Sequence, residues 1–362
     1  MSGALRVIFR LLSVIIALGI IVCALALGGA AYFNTPPETP PVPALATDQD
    51  SSPQAMRLDE NGALILEVRG GETAYSVGSR LEKAQVIRSR YFWNILSRLD
   101  NKYLKAGTYR IELPASQIKI HSLLTAGEQL LVKVTIPEGV TLKKAARILG
   151  EAGICGEEEF LAASSSREIL DVYRIPGATM EGYLYPDTYL FPLGYSAPKV
   201  ILAMADNFFR RLEKIAPKTA SMGAEEINNR IIIASIVERE YRIPDEAALM
   251  AGVFYNRLKI GMGLQSCATV EYVITEIQGR PHPEVLYNRD LEIRDAYNTY
   301  LRSGLPPGPI SAPGETAIRA AFYPIHSDYL YFRLMDPSVG RHYFSRTLDD
   351  HIRAGKLYLK AR

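Results

Sequence analysis

The sequence predicts an α+β protein suspended from a single membrane-spanning helix. Three observations predict it: a charge-free apolar run near the amino terminus, β-branched segments alternating with segments of helical period along the rest, and ample length. The 362 residues are 48% hydrophobic and 22% charged, enough for two or three domains of about 100–200 residues each. With 41 basic against 39 acidic residues and no basic stripe, the chain does not read as a nucleic-acid binder. Near-average Gly and Pro exclude a collagen-like or wholly disordered chain. Cys23, Cys155 and Cys267 are too few and too scattered to frame a disulfide scaffold.

From Leu11 to Phe33 no residue is charged. As a helix rising ~1.5 Å per residue this run would cross a ~30 Å hydrocarbon core. Arg6 and Arg10 precede it and no Lys or Arg follows until Arg57, which places residues 1–10 in the cytoplasm and everything after the span outside. A cleaved signal peptide is the alternative, and Gly28-Gly29-Ala30-Ala31 would suit its protease. Its apolar region, though, is usually only ~7–15 residues, so the length favours a retained anchor at 11–33. Residues 34–58 begin Asn34-Thr35-Pro36-Pro37-Glu38-Thr39-Pro40-Pro41 and read as an extended spacer, because repeated prolines fix φ and remove amide donors.

Beyond the spacer, two segments resemble each other at an offset of 68 residues. Gly71, Thr73, Leu81, Ala84, Val86 and Phe92 correspond to Gly139, Thr141, Leu149, Ala152, Ile154 and Phe160. Each copy predicts a strand (64–68, 132–136), a glycine turn and a helix capped by its threonine. Two copies are too few for a solenoid. Either two common β-turn-α units are alike by chance, or residues 59–130 form a small module of the lysin-motif type, which binds glycan strands. Gly107–Leu113 alternates like a half-buried strand. Helical spacing recurs over 201–214, 224–237 and 244–258. Aromatic strands follow at 329–334 and 342–344, with a closing helix from about Thr347. Residues 131–362 thus form a second, mixed α+β part.

The most informative stretch is Ile231-Ile232-Ile233-Ala234-Ser235-Ile236-Val237-Glu238-Arg239-Glu240. Its first seven residues are apolar or small, so the helix must be mostly buried. Glu238 shares a face with Ile231, Ala234 and Ser235. A carboxyl beside apolar side chains resists ionisation, which suits a general acid at neutral pH. Glu240, two residues on, points ~200° away around the helix. The plain alternative makes Glu238 a solvated helix end paired with Arg242, an arrangement that contributes only ~0.3–0.5 kcal/mol. Ser235 is small and leaves room for a substrate above the face it shares with Glu238. Downstream, Tyr255, Asn256, Gln265, Tyr297, Asn298 and Thr299 supply flat apolar faces and neutral hydrogen-bonding groups that suit uncharged sugar rings, and Gly- and Pro-rich loops follow them.

Other signals are weaker. The histidines never approach metal-ligand spacing, so no metal is expected. Gly261-Met262-Gly263 fails the dinucleotide fingerprint. Cys267 could act as a nucleophile, but no partner base accompanies it, and a small filler residue is the simpler reading.

Taken together, Ala234–Glu240 and Ala251-Gly252-Val253-Phe254-Tyr255-Asn256-Arg257-Leu258 resemble the endolytic murein transglycosylases, the YceG-like family. Supporting blocks are Ile136-Pro137-Glu138-Gly139, Glu181-Gly182-Tyr183-Leu184-Tyr185-Pro186-Asp187-Thr188-Tyr189, Tyr297-Asn298-Thr299-Tyr300 with its Leu-Pro-Pro-Gly loop, and Tyr329-Leu330-Tyr331-Phe332. The resemblance runs from about Ala63 to the end. It implies a single-pass inner-membrane enzyme that cleaves peptidoglycan glycan strands internally, without cofactor or metal, close to the peptidoglycan synthases of elongation or division. It also implies that Glu238 is the essential glutamate and that a lysin-motif-like part precedes the catalytic part. One departure stands out: the family usually carries Asp-Pro-Thr after its Leu-Gln pair, whereas Ser266 here leads to Cys267-Ala268-Thr269.

The implied chemistry is a lytic cleavage between N-acetylmuramic acid and N-acetylglucosamine that leaves a 1,6-anhydro end, with one carboxyl serving as acid and then as base. The sequence shows no second carboxylate beside Glu238. The rival reading is a catalytically inactive, membrane-anchored glycan-binding scaffold.

Overall fold

The computed structural model describes residues 3–38, 56–336 and 338–360; most of the predicted 34–58 spacer lies outside them. The protein is mixed α+β. Its first helix, α1 (Gly3–Asn34), includes a stretch from Leu11 to Asn34 long and apolar enough to cross a membrane and not buried anywhere in the protein. The chain divides into two compact units: Met1–Leu131 with Pro192–Gly194, and Val132–Phe191 with Tyr195–Arg362.

Unit 1 contains β1 (Met56–Leu58), β2 (Leu64–Val68), α2 (Ala74–Lys83), α3 (Arg90–Asp100), β3 (Gly107–Ile111) and α4 (Gln117–Ala126). The three strands form one antiparallel sheet in the order β1-β2-β3, with Leu64 opposite Ile111 and Leu66 opposite Tyr109. The hydroxyls of Thr73, Ser89 and Ser116 cap α2, α3 and α4 by accepting the N–H groups of Ser76, Phe92 and Lys119, satisfying donors that the first helical turn leaves free. Leu64, Leu81, Trp93, Tyr109 and Ile120 are fully buried in a core of this unit's own. The Trp93 indole N–H donates to the Ala74 carbonyl at 2.9 Å, so its burial leaves no polar atom unpaired.

The last turn of α1 is hydrogen-bonded to the rest of unit 1. Gln117 donates its amide to the Phe33 carbonyl, and the Asn34 side chain accepts the Ile118 N–H. Arg88 donates to the Thr35 and Pro36 carbonyls.

Unit 2 follows with β4 (Leu131–Thr135), α5 (Leu142–Glu151), α6 (Glu157–Ser164), α7 (Arg167–Val172), β5 (Thr188–Pro192), α8 (Ala197–Ile215), α9 (Ala224–Glu240) and α10 (Pro244–Lys259). Then come α11 (Cys267–Tyr272), α12 (Asn288–Leu291), α13 (Glu315–Phe322), the antiparallel hairpin β6 (Tyr331–Asp336) and β7 (Arg341–Ser345), and α14 (Leu348–Lys360). β4 pairs with β5. Helix α9 is the unit's axis: Ile231 to Val237 are all buried, and α13, α10 and α11 pack around it. Pro244 occupies the first turn of α10, where its missing N–H costs nothing.

Candidate active site

Three segments of unit 2 meet at the site: the last turns of α9, the 310–314 loop and the turn after β4. Ser235 and Glu238 lie three residues apart on one face of the helix. The Ser235 hydroxyl accepts the Ile310 N–H at 3.0 Å, and its carbonyl accepts the Ser311 hydroxyl at 3.0 Å. One turn on, Glu238 Oε2 accepts the Gly314 N–H at 2.9 Å. The helix thus pins the 310–314 loop at two points, and Gly314 is the N-cap of α13. The third segment is the turn after β4. Gly139 N–H donates to the Ala312 carbonyl at 2.8 Å, and Ala312 N–H donates to Val140 at 2.7 Å. Gly139 adopts φ +72, a conformation that favours glycine.

This turn delivers Glu138. Its side chain lies against Gly314, occupying the space where a Cβ would project. Two carboxyls therefore flank one glycine, Glu238 at its N–H and Glu138 over its Cα. The sequence reading saw no second carboxylate because Glu138 comes from a strand end a hundred residues away. The Ile136-Pro137-Glu138-Gly139 block was its only signal.

Glu238 is half-buried and, among the described residues, has no ion-pair partner, Arg242 included. Burial pushes its carboxyl up to about 7; the Gly314 N–H opposes the shift, the neighbouring Glu138 charge adds to it and the Tyr241 hydroxyl reduces it. The helix thus presents a carboxyl that holds a proton near neutrality and can release it, as a general acid must. Glu181 of the Glu-Gly-Tyr block is 5% exposed. Burial lifts it to about 8 although its oxygens accept the Leu142 N–H at the start of α5. It ties the Glu181–Tyr189 segment to the helix that follows the Glu138 turn.

Glu240 faces elsewhere. It accepts the Ser266 hydroxyl, and burial raises its carboxyl as well. It lines a cleft of about 480 Å³ with Arg239, Gln265, Cys267, Tyr300 and Tyr331. Cys267 Sγ lies 3.1 Å from the Tyr300 hydroxyl. Desolvation raises the thiol's pKa, which does not favour the reactive thiolate.

The remaining residues singled out as sugar contacts are distributed unevenly. Gln265 is exposed at the rim of that cleft, and the Tyr297 ring packs tilted against Tyr272, centroids 5.0 Å apart. The others hold loops. Tyr255 donates to the Ala321 carbonyl, and Asn256 to those of Ser327 and Tyr329. Asn298 donates to the carbonyls of Leu291 and Ile293, and Thr299 accepts the Ser266 N–H. Ser235, Asn298 and Thr299 are also buried, so their polar groups are engaged in fixing the backbone around the site.

A proton-holding carboxyl on a buried helix, flanked by a second carboxyl and fixed by a glycine-proline loop, is the arrangement general-acid chemistry needs, on an α+β scaffold that carries one long apolar helix. The profile of the YceG-like family matches residues 66–356, and the chain belongs to that family. It is 28% identical over 328 residues to the endolytic murein transglycosylase of Bacillus subtilis (strain 168), covering 85% of this chain and 88% of that protein. It is 28% identical over 317 residues to the protein of the same name from Streptococcus pneumoniae serotype 2, covering 78% of this chain and 56% of that protein. The match thus spans little more than half of the pneumococcal relative. Among solved structures, the chain is similar to a putative YceG-like protein from Listeria monocytogenes, with 30% identity and a TM-score of 0.54 over 80% of this chain and 98% of that one.

Proposed function

We propose that this chain is a membrane-anchored endolytic lytic transglycosylase of peptidoglycan, with α1 retained in the inner membrane, its amino terminus cytoplasmic and the rest outside. The observation that carries this reading is the Glu238 carboxyl, held near pKa 7 beside Glu138 on a pinned loop. Glu238 gives its proton to the oxygen linking N-acetylmuramic acid to N-acetylglucosamine. The C1–O bond breaks with its electron pair going to that oxygen, and positive charge develops at the muramyl C1. The 6-hydroxyl of the same sugar then bonds to C1 and passes its proton to the Glu238 carboxylate. The acid is regenerated, a 1,6-anhydro end remains and no water is consumed. An internal nucleophile of this kind has a very high effective concentration. The neighbouring Glu138 adds to the upward shift of the group that must begin protonated.

The relatives' shared name and the family membership support the substrate class. Residues 59–130 serve in this reading as a lysin-motif-like module that holds glycan, supported by a sheet and core of their own, and residues 131–362 serve as the catalytic domain. Incubating the full chain in detergent with isolated sacculi tests the proposal. Release of anhydro-muropeptides is expected, and binding without release would identify a glycan-binding scaffold instead.

A further inference from the structure

Unit 1 carries a strip of apolar side chains that none of the described residues covers. On α3, Tyr91, Ile95 and Leu99 recur every four residues along one face and are 65%, 54% and 78% exposed; Tyr103, just beyond the helix, is 92% exposed. Single exposed apolar residues are ordinary. Three in register on one helix, continued by a tyrosine, form a contiguous patch, and patches of that kind mark surfaces that meet something. The core-facing side of the same helix is already served by Trp93.

The neighbour of this strip is the end of the membrane-spanning helix. Around the helix, Phe92 lies next to the strip, about 20° from Leu99 at ~100° per residue. Its ring stacks against Phe33 of α1, with centroids 6.3 Å apart. Arg88, just before α3, lies over the Tyr32 ring at 4.7 Å and donates to its hydroxyl. With the Gln117 and Asn34 hydrogen bonds, these contacts fasten α3 and α4 to the last turn of a helix whose apolar surface is uncovered from Leu11 onward.

We infer that α3 lies on the outer face of the bilayer, with Ile95 and Leu99 inserted below the headgroups and Tyr91 and Tyr103 among them. The inference rests on α1 being a retained anchor. A span that ends at Asn34 brings α3 to the hydrocarbon boundary, and the apolar surface then runs without a break from lipid-facing α1 through Phe33 and Phe92 to the strip. The residue types suit that depth. Aliphatic side chains sit centrally, tyrosines lie at both ends, where amphipathic rings favour the interface, and Arg90, Arg98 and Lys102 are placed to meet lipid phosphates. Asp100 and Glu82 offset part of that charge through their contacts with Lys102 and Arg90. A sugar strand would need hydrogen-bonding groups that Ile95 and Leu99 lack. Unit 1 is then a foot resting on the membrane as well as a module beside it.

The test uses the full chain with its three cysteines replaced by alanine, reconstituted in phosphatidylcholine–phosphatidylglycerol vesicles and spin-labelled at position 95 or 60. Flotation with the vesicles reads the anchor separately. The label at 95 should collide more with oxygen than with a nickel chelate, and the label at 60, in the exposed β1–β2 turn, should show the reverse. Equal chelate access at both sites in floating protein would overturn the inference, as would shielding at 95 that appears only at high protein-to-lipid ratio, the mark of a second copy. Replacing Tyr91, Ile95 and Leu99 together by serine should leave the melting temperature in detergent unchanged and abolish the extra stability that vesicles confer on unit 1. A vesicle effect of undiminished size in that variant would also refute it.

Discussion

From Leu64 to Asp100, and again from Leu131 to Ser164, the chain runs strand, left-handed glycine, threonine-capped helix and second helix. Gly71 and Gly139 take φ +79 and +72. Thr73 accepts the Ser76 N–H, and Thr141 accepts the Lys144 N–H. Leu81 and Leu149 are fully buried, as are their followers Val86 and Ile154. The copies part at two positions. Phe160 is sealed between α5, α6 and α8, whereas Phe92 is half-buried against Phe33. The residue ahead of the glycine is Gly70 in the first copy and Glu138 in the second. One local pattern therefore makes an uncovered helix face in one place and a carboxylate platform in the other. The shared pattern is scaffold; the two copies differ in a single turn residue and in what packs outside them.

The largest effect should come from the reaction centre. Glu238→Gln keeps the shape and removes the transferable proton, so release of anhydro-muropeptides should fall by at least ~10²–10⁴-fold, the usual loss when a general acid–base is removed. Melting should show an intact fold, since an amide can still accept the Gly314 N–H. Glu240→Gln, facing the other cleft, should cost much less. Parent-like activity in Glu238→Gln would overturn the mechanism.

The matched leucines sharpen the comparison next. Leu81→Ala and Leu149→Ala each leave a cavity in a separate core, with an expected cost of about 2–5 kcal/mol. Calorimetry of the full chain should show different transitions lowered by the two changes. Cleavage of short soluble glycans should survive Leu81→Ala at temperatures where Leu149→Ala has lost it. One common transition, shifted equally by both, would mean that the two copies do not belong to independent units.

Much of the scaffold was legible because it is written locally. Threonine caps, an unbroken apolar helix and a proline at a first turn act within a few residues, and the 224–240 helix and its half-buried Glu238 followed from them. What escaped is long-range or depends on partner choice. Glu138 reaches Glu238 through two backbone hydrogen bonds between the 139–140 turn and Ala312, and backbone groups carry no residue signature. Asn256 and Asn298 read as sugar-binding amides, yet their donors are engaged by carbonyls of irregular loops. Composition shows that a polar group is present in a loop-rich region; it does not say whether ligand or main chain will engage it.

The turn residue gives a smaller, directional effect. In the proposed mechanism Glu238 starts protonated, so activity should decline as pH rises through about 7. Removing the Glu138 charge makes Glu238 easier to ionise, so Glu138→Gln should move the alkaline limb of kcat/KM to lower pH. Glu138→Asp should leave it closer to the parent. Gly314→Ala should act like Glu138→Gln with the charge still present, because its methyl takes the space that the carboxyl occupies. Glu238 also links pH to stability. Between the ordinary carboxyl range and about 7 the native state keeps a proton that the unfolded chain has released, so this group's contribution falls as pH rises across that window. An alkaline limb unmoved by Glu138→Gln would reduce Glu138 to packing.

The smallest effect is expected at Cys267, on the side of α9 that Glu238 does not face. Its sulfur touches the Tyr300 hydroxyl, and its pKa is raised by desolvation beside Glu240 and Glu271. A thiol in that setting stays protonated at neutral pH and is a poor nucleophile. Serine preserves its size and can take over the contact with Tyr300, so Cys267→Ser should leave cleavage of sacculi within about twofold of the parent and shift stability by no more than the ±0.5 kcal/mol typical of partly exposed sites. Cys267→Asp should be harsher, because it adds a third carboxyl to a cleft where Glu240 already resists ionisation, with Glu271 close by. If Cys267→Ser abolished cleavage while melting stayed at the parent value, the reaction centre would lie in the Glu240 cleft, and Glu238 with its matched turn would be the scaffold.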